Sequence, residues 1–174
     1  MADDAVEIAR LRRRVQHLED QLELMAMMAT YGPAVDSLSI DEAASLWADD
    51  GVYDVSGAEP MEGREAIAVM LHAAPHLSLV GDGCAHVSTL PLIKVDGDVA
   101  VGIAYHGVYV RDRDAYRVIR LAASRWDWVR AQNGWKVRRR THRVLDGSDD
   151  ARELLRDALH EIQRNDSATD EPHR

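Results

Sequence analysis

The chain has 174 residues, long enough for one domain with a substantial core and too short for two ordinary domains and a linker. Its 21 basic residues stand against 30 acidic ones, and the net charge of −9 argues against nonspecific binding to nucleic acid or to anionic membrane. No apolar stretch approaches the roughly 20 residues of a membrane span, no leader-like pattern opens the chain, and the single cysteine, Cys84, excludes an intramolecular disulfide; a cytoplasmic location is expected.

Ile8, Leu11, Val15, Leu18, Leu22 and Met25 alternate spacings of three and four, the seam of a helix that packs either on its own domain or on another subunit. From Leu24 to Met28 the apolar face broadens, as when a helix enters a core. The stretch from Thr30 to Ser37 then puts a phenol, Tyr31, and a carboxylate, Asp36, where that face meets the interior. Pro33 lacks an N–H and must bend the helix. Positions five apart on a helix point about 140° away from each other, so Tyr31 and Asp36 share one cavity only if Gly32-Pro33 redirects the last turn. The alternative role for Asp36 is a helix cap. Ser39-Ile40-Asp41-Glu42 reads as a capping box ahead of a short helix through Trp47. Asp49-Asp50-Gly51 reads as a stop and turn, Val52–Val55 as a first strand, and Arg64–His72 as a third helix closed by Pro75.

The second half changes period. Residues 85–95, 99–110, 116–132 and 135–145 are β-like, joined by Asp96-Gly97-Asp98, a charged turn at 111–114, and Asn133-Gly134, a type I′ hairpin signal. The expectation is a four-stranded antiparallel meander whose long strands curl to enclose a pocket. Ser148 is placed to cap a last helix over 148–164, and the polar tail 165–174 is expected to be disordered. Cys84 reads as a small buried hydrophobe rather than a nucleophile.

This order, with Asp41-Glu42-Ala43-Ala44-Ser45-Leu46-Trp47, Met61-Glu62-Gly63-Arg64-Glu65-Ala66-Ile67 and Gly134-Trp135-Lys136-Val137-Arg138, resembles the SnoaL-like branch of the nuclear-transport-factor-two-like superfamily over about residues 5–146. The resemblance implies an α+β fold over 1–147, a cone-shaped α+β barrel with N-terminal helices packed in a curved antiparallel sheet. Within that branch the chain looks most like the cofactor-free lyases scytalone dehydratase, lindane dehydrochlorinase and bile-acid 7α-dehydratase. That likeness implies Asp36 and His86 as a catalytic pair, Tyr31 as a further catalytic group, and an arginine from the strand after Trp135, for which this chain offers Arg139, Arg140 and Arg143. Arg139 and Arg143 share parity with Trp135 and Val137 and are expected to face inward. Where scytalone dehydratase has a second histidine and extra tyrosines, this chain has Val110, Val35 and Val55, and His106 is placed to take over the histidine's role. Trp126 completes the expected substrate-binding set.

A carboxylate that accepts the proton of one imidazole nitrogen fixes the tautomer and frees the other nitrogen to act as a base. Asp36 is expected to hold the pKa of His86 at or above its ordinary value, against the pull of burial. Tyr31 can protonate a leaving hydroxyl or hold a carbonyl, and an arginine can hold oxyanion charge. No metal and no cofactor is called for. The expected activity is a lyase or isomerase that abstracts a proton from a small apolar hydroxylated or carbonyl substrate, such as a steroid, polyketide or aromatic compound. A polyketide cyclase and a ligand-binding module without turnover are the alternatives. The chain is expected to form a homo-oligomer, a trimer by the resemblance or else a dimer, with no nucleic-acid or membrane partner.

Overall fold

A 35-residue helix, α1 (Ala2–Asp36), spans two environments in the computed structural model, which describes residues 2–164; the tail at 165–174 lies outside the described residues. Residues 3–19 are exposed on every face. From Asp20 onward the helix meets the sheet, and Leu24, Met27, Met28, Tyr31, Ala34 and Val35 are buried. The helix continues through Pro33 to Asp36, and the missing N–H falls so near the end that the helix is not broken. Leu38 then turns the chain at positive φ, and the Ser39 N–H returns to the Ala34 carbonyl at 2.9 Å.

Short helix α2 (Ile40–Ser45) lacks the expected capping box: the Ser39 hydroxyl pairs with Ser37 at 2.9 Å rather than with a helical N–H. Strand β1 (Trp47–Val55) takes in Asp49-Asp50-Gly51, the expected stop. Those residues form an irregularity within the strand, where the register with the parallel strand β7 (Gly134–Val144) jumps between Trp47 and Val52. After β2 (Met61–Glu62) and α3 (Arg64–His72), Pro75 opens a further helix, α4 (Ala74–Gly81), as well as following the previous one. Proline is suited to a first helical turn because its missing N–H would have no partner there. The expected strand 85–95 is two strands, β3 (Cys84–Ser88) and β4 (Leu92–Asp96), parted at Thr89-Leu90-Pro91 and paired with the two ends of β5 (Val99–Asp112). The hairpins to β6 (Ala115–Ala131) and β7 fall where the sequence puts them, and α5 (Asp149–Gln163) follows. Ser148 makes no side-chain cap there; the acids Asp149 and Asp150 occupy the first turn of α5 and favour its positive end.

The sheet runs β2-β1-β7-β6-β5-β3, with β4 also on β5. It curls around the inner half of α1 without closing, an α+β cone open along one side. Trp47, Trp126, Trp128, Trp135 and Val137 fill the concave core with α1, while α5 covers Val101 and Ile103 outside it with Leu155, Ala158 and Ile162.

Two bulges set which side chains face inward. Between β6 and β7, Asp127 pairs with Arg139 and Trp128 with Val137, leaving Arg138 as an extra residue. The extra residue reverses parity, so the buried side passes from Trp135 and Val137 to Arg140 and His142. Arg139 and Arg143 therefore face away from the core and pair with Asp54 at 2.8 Å each, contrary to the parity expectation. Between β5 and β6, Val108 pairs with Arg120 and Tyr109 with Val118, so Ile119 is extra. Among the described residues no helix is long and apolar enough to cross a membrane.

Candidate active site

Gly32 brings α1 against β3. A Cβ at this position would collide with the His86 carbonyl oxygen, so glycine is what lets the helix lie close enough for Asp36 to reach the strand. Asp36 then uses both carboxylate oxygens on His86. Oδ2 accepts the His86 backbone N–H at 2.7 Å, and Oδ1 lies 2.6 Å from Nδ1. With Nδ1–H donated to a carboxylate, Nε2 is left unprotonated and has no hydrogen-bond partner among the described residues. Burial outweighs the raising effect of Asp36 and moves the His86 pKa below its ordinary value, the reverse of the expected balance. His86 is neutral at pH 7.

A cavity of about 360 Å³ lies in front of this pair. His86, Tyr31, Tyr53, Val55, Leu71 and Arg120 line it together with Met61, Met70, His76 and other small or apolar residues. Asp36 stands behind the imidazole, outside the lining, so Tyr31 reaches the cavity directly and Asp36 only through His86, without any redirection of the last turn. Burial pushes the Tyr31 phenol far above its usual range, which keeps it a proton donor.

Arg140 sits under the cavity, fully buried, with its guanidinium 4.1 Å from the Trp126 ring centre and 4.3 Å from that of Tyr31. Its Nε donates to Ser124 at 3.3 Å, Nη2 lies 3.3 Å from His106 Nδ1, and Nη1 has no partner among the described residues. Aromatic faces stabilise the cation in place of a carboxylate. Burial, and then this charge, drive the His106 pKa down to about 2 and that of His142 well below its ordinary value. The two imidazoles lie together beside Arg140, tilted by 42° with ring centres 4.9 Å apart. His106 also meets the Ser88 hydroxyl at 3.0 Å. It does not line the cavity, and neither do Val110 and Trp126; Val110 faces Cys84 across the β3–β5 ladder. Arg120, on the same face of β6 as the buried Ala122, Ser124 and Trp126, lines the cavity and has a buried Nε with no partner among the described residues. The sequence offered a weak signal for it, a lone arginine in the apolar run Val118-Ile119-Arg120-Leu121.

Asp36, Cys84 and His86 place three donor atoms within 4.8 Å of one another, a set that invites comparison with a metal site. The 2.6 Å approach of Oδ1 to Nδ1 is that of a hydrogen bond; ligands about 2.0 to 2.3 Å from a tetrahedral metal stand farther apart. Burial and Asp36 raise the Cys84 pKa to about 11, and the thiol lies 3.5 Å from Oδ1 as a donor. A wider groove of about 780 Å³ lies between the sheet and α5, but its charges neutralise one another, Arg125 bonding Asp127 at 2.7 Å and Glu161 at 2.8 Å. The inner cavity, by contrast, is lined by His76 Nε2 and Arg120 Nε, neither with a hydrogen-bond partner among the described residues.

An open cone of this topology with polar groups gathered inside it defines the NTF2-like, cystatin-like class of α+β proteins. The chain belongs to the SnoaL-like domain family, whose model matches residues 16–141. Among solved structures it is similar to an NTF2-like protein with a cystatin-like fold from Novosphingobium aromaticivorans, at 36% identity, with 84% of this chain and 96% of that chain covered and a TM-score of 0.83. A function-unknown protein from Mycobacterium tuberculosis matches at 19% identity, 86% and 92% coverage and a TM-score of 0.67. A protein from Catenulispora acidiphila, solved in complex with S-DNPA, matches at 23% identity, 78% and 96% coverage and a TM-score of 0.63. The last two share the fold. No curated protein matches the chain.

Proposed function

We propose that the protein is a cofactor-independent lyase or isomerase in which His86 removes a proton from a small, mainly apolar substrate bearing a carbonyl or hydroxyl. The observation that carries this reading is the Asp36–His86 pair, both carboxylate oxygens engaged, backing a cavity that His86 lines. Nε2 takes the proton while Asp36 stabilises the imidazolium that forms. Charge that builds on the substrate oxygen meets the Tyr31 O–H and the nearby Arg120, with Arg140 behind the Tyr31 ring holding the field positive. Expulsion of a hydroxyl gives a dehydratase; return of the proton to another carbon gives an isomerase. A volume of about 360 Å³ is near the lower end of ligand sites, which suits a compact ring system.

The reading is tested by NMR, following exchange of deuterium from solvent into the acidic C–H positions of a panel of cyclic ketones and hydroxylated aromatic compounds. Wild-type protein is expected to accelerate exchange for at least one compound. His86→Gln should lower that rate by about 10² to 10⁴, and Asp36→Asn should lower it while shifting the acid limb of its pH profile downward, because the carboxylate that favours the imidazolium is gone. A rate unchanged in His86→Gln, or flat through the histidine range, assigns the proton to another group.

A further inference from the structure

We infer that residues 8–29 of α1 form a parallel, two-stranded coiled coil with a second copy of this chain. Heptad positions assigned from the seam put Ile8, Val15, Leu22 and Ala29 at a, and Leu11, Leu18 and Met25 at d. In the structure the five seam residues from Ile8 to Leu22 are between 46% and 65% exposed, so the domain does not use them.

The orientation of α1 on its own domain leaves that seam open. Asp20, at position f, is buried against Arg130 at 2.7 Å and the Trp135 indole at 3.2 Å, and Glu23, at b, accepts the Trp135 N–H at 3.1 Å. Positions f and b lie on the side of a helix away from a and d. The domain therefore holds the back of the helix and directs the seam outward, along about 30 Å of helix.

Residue types choose the number of strands. Ile8 and Val15 at a, with Leu11 and Leu18 at d, are the combination that favours two strands over three. Charges choose the direction. In a parallel pair, g of one helix faces the following e of the other, which sets Glu7 against Arg12 and Arg14 against Glu19. All four residues find opposite charges, twice over by two-fold symmetry. An antiparallel pair with the seams overlapped matches Arg12 with Glu19 and leaves Glu7 and Arg14 facing Met28 and Gln21. Glu7 also pairs with Arg10 of its own helix at 2.6 Å, an exposed contact that leaves room for a second partner.

Sedimentation velocity of the full chain at about 20 μM tests this. An even-numbered species is expected, a dimer or a tetramer if the sheet also pairs, and Leu11→Asp/Leu18→Asp should halve its mass with an unchanged near-ultraviolet dichroism spectrum. Arg14→Glu should weaken the association by about tenfold, and Glu19→Arg added to it should restore the affinity to within about twofold. Leu11→Cys in a Cys84→Ser background should give a disulfide-linked dimer under mild oxidation. A wild-type monomer or trimer, a mass unaffected by the double aspartate variant, a failed charge rescue, or a Leu11→Cys variant that does not cross-link would overturn the coiled coil.

Discussion

The two halves of α1 carry the same three-and-four apolar rhythm and meet opposite fates. The inner half, from Asp20 to Asp36, is packed on the sheet, and its Tyr31, Gly32 and Asp36 shape the candidate site around His86. The outer half, up to Glu19, leaves its seam exposed beyond its own domain. Periodicity marks an amphipathic helix, but it does not say where the partner is. What separates the halves is the company of the apolar residues. Leu24, Met27, Met28 and Val35 broaden the face for a curved sheet, whereas Ile8, Leu11, Val15 and Leu18 keep a narrow two-row seam between charged flanks.

The largest effect expected from a single methyl group falls in the inner half. Gly32→Ala gains about 1 kcal/mol of helix propensity but forces a Cβ into the backbone carbonyl of His86, where no flexible side chain can yield. A net loss of about 2 kcal/mol is expected in urea unfolding, together with a loss of proton-transfer activity as α1 backs away and the Asp36–His86 bond lengthens. Stability and activity both at the wild-type level would mean that the close approach of helix and strand does not position the pair.

The contrast between the halves also explains what the sequence made legible. Asp36 and His86 could be matched because each sits on an element whose order along the chain is regular. Arg140 was only one of three candidate arginines, and parity favoured its neighbours until a single extra residue at Arg138 reversed the faces of β7. Arg120 shares the inward face of β6 with Trp126 but stood alone in an apolar run with no motif to mark it, and the Asp49-Asp50-Gly51 turn signal was overridden by pairing of β1 with β7. Bulges leave no dependable mark in a single sequence because the cost of one unpaired residue is decided by tertiary packing. The placement of Asp36 behind His86 rather than inside the cavity was likewise out of reach, since it depends on how near Gly32 lets the helix come.

A second expected effect belongs to the interior that the inner half covers. His106 and His142 are buried neutral, with folded-state pKa values below the unfolded value of about 6.5. Below that pH the unfolded chain binds protons that the folded chain refuses, so stability falls as pH drops through 6.5 and is unaffected above it. The pair should cost about 2 to 3 kcal/mol between pH 7.5 and 5.5, read from urea midpoints. The ion-paired carboxylates Asp20 and Asp54, whose pKa values are lowered, add to the loss only below about pH 4. Equal midpoints at pH 7.5 and 5.5 would mean that the two imidazoles become charged in the folded state without penalty.

The smallest effect sharpens the comparison most, because its size should depend on protein concentration. Leu18 is 56% exposed on the outer half, so in an isolated chain Leu18→Ala removes little packing and, alanine being a good helix former, should change stability by less than about 0.5 kcal/mol. In an assembled chain the same leucine fills a d position on both helices, and its loss should weaken the assembled form, whose stability is tied to protomer concentration by mass action. Thermal unfolding followed at about 0.5 μM and about 50 μM separates these cases: the wild-type midpoint should rise with concentration, and the variant should trail it only at the higher one. A deficit of the same size at both concentrations would place the contact of Leu18 within its own chain, and the two halves of α1 would then differ in degree of burial rather than in partner.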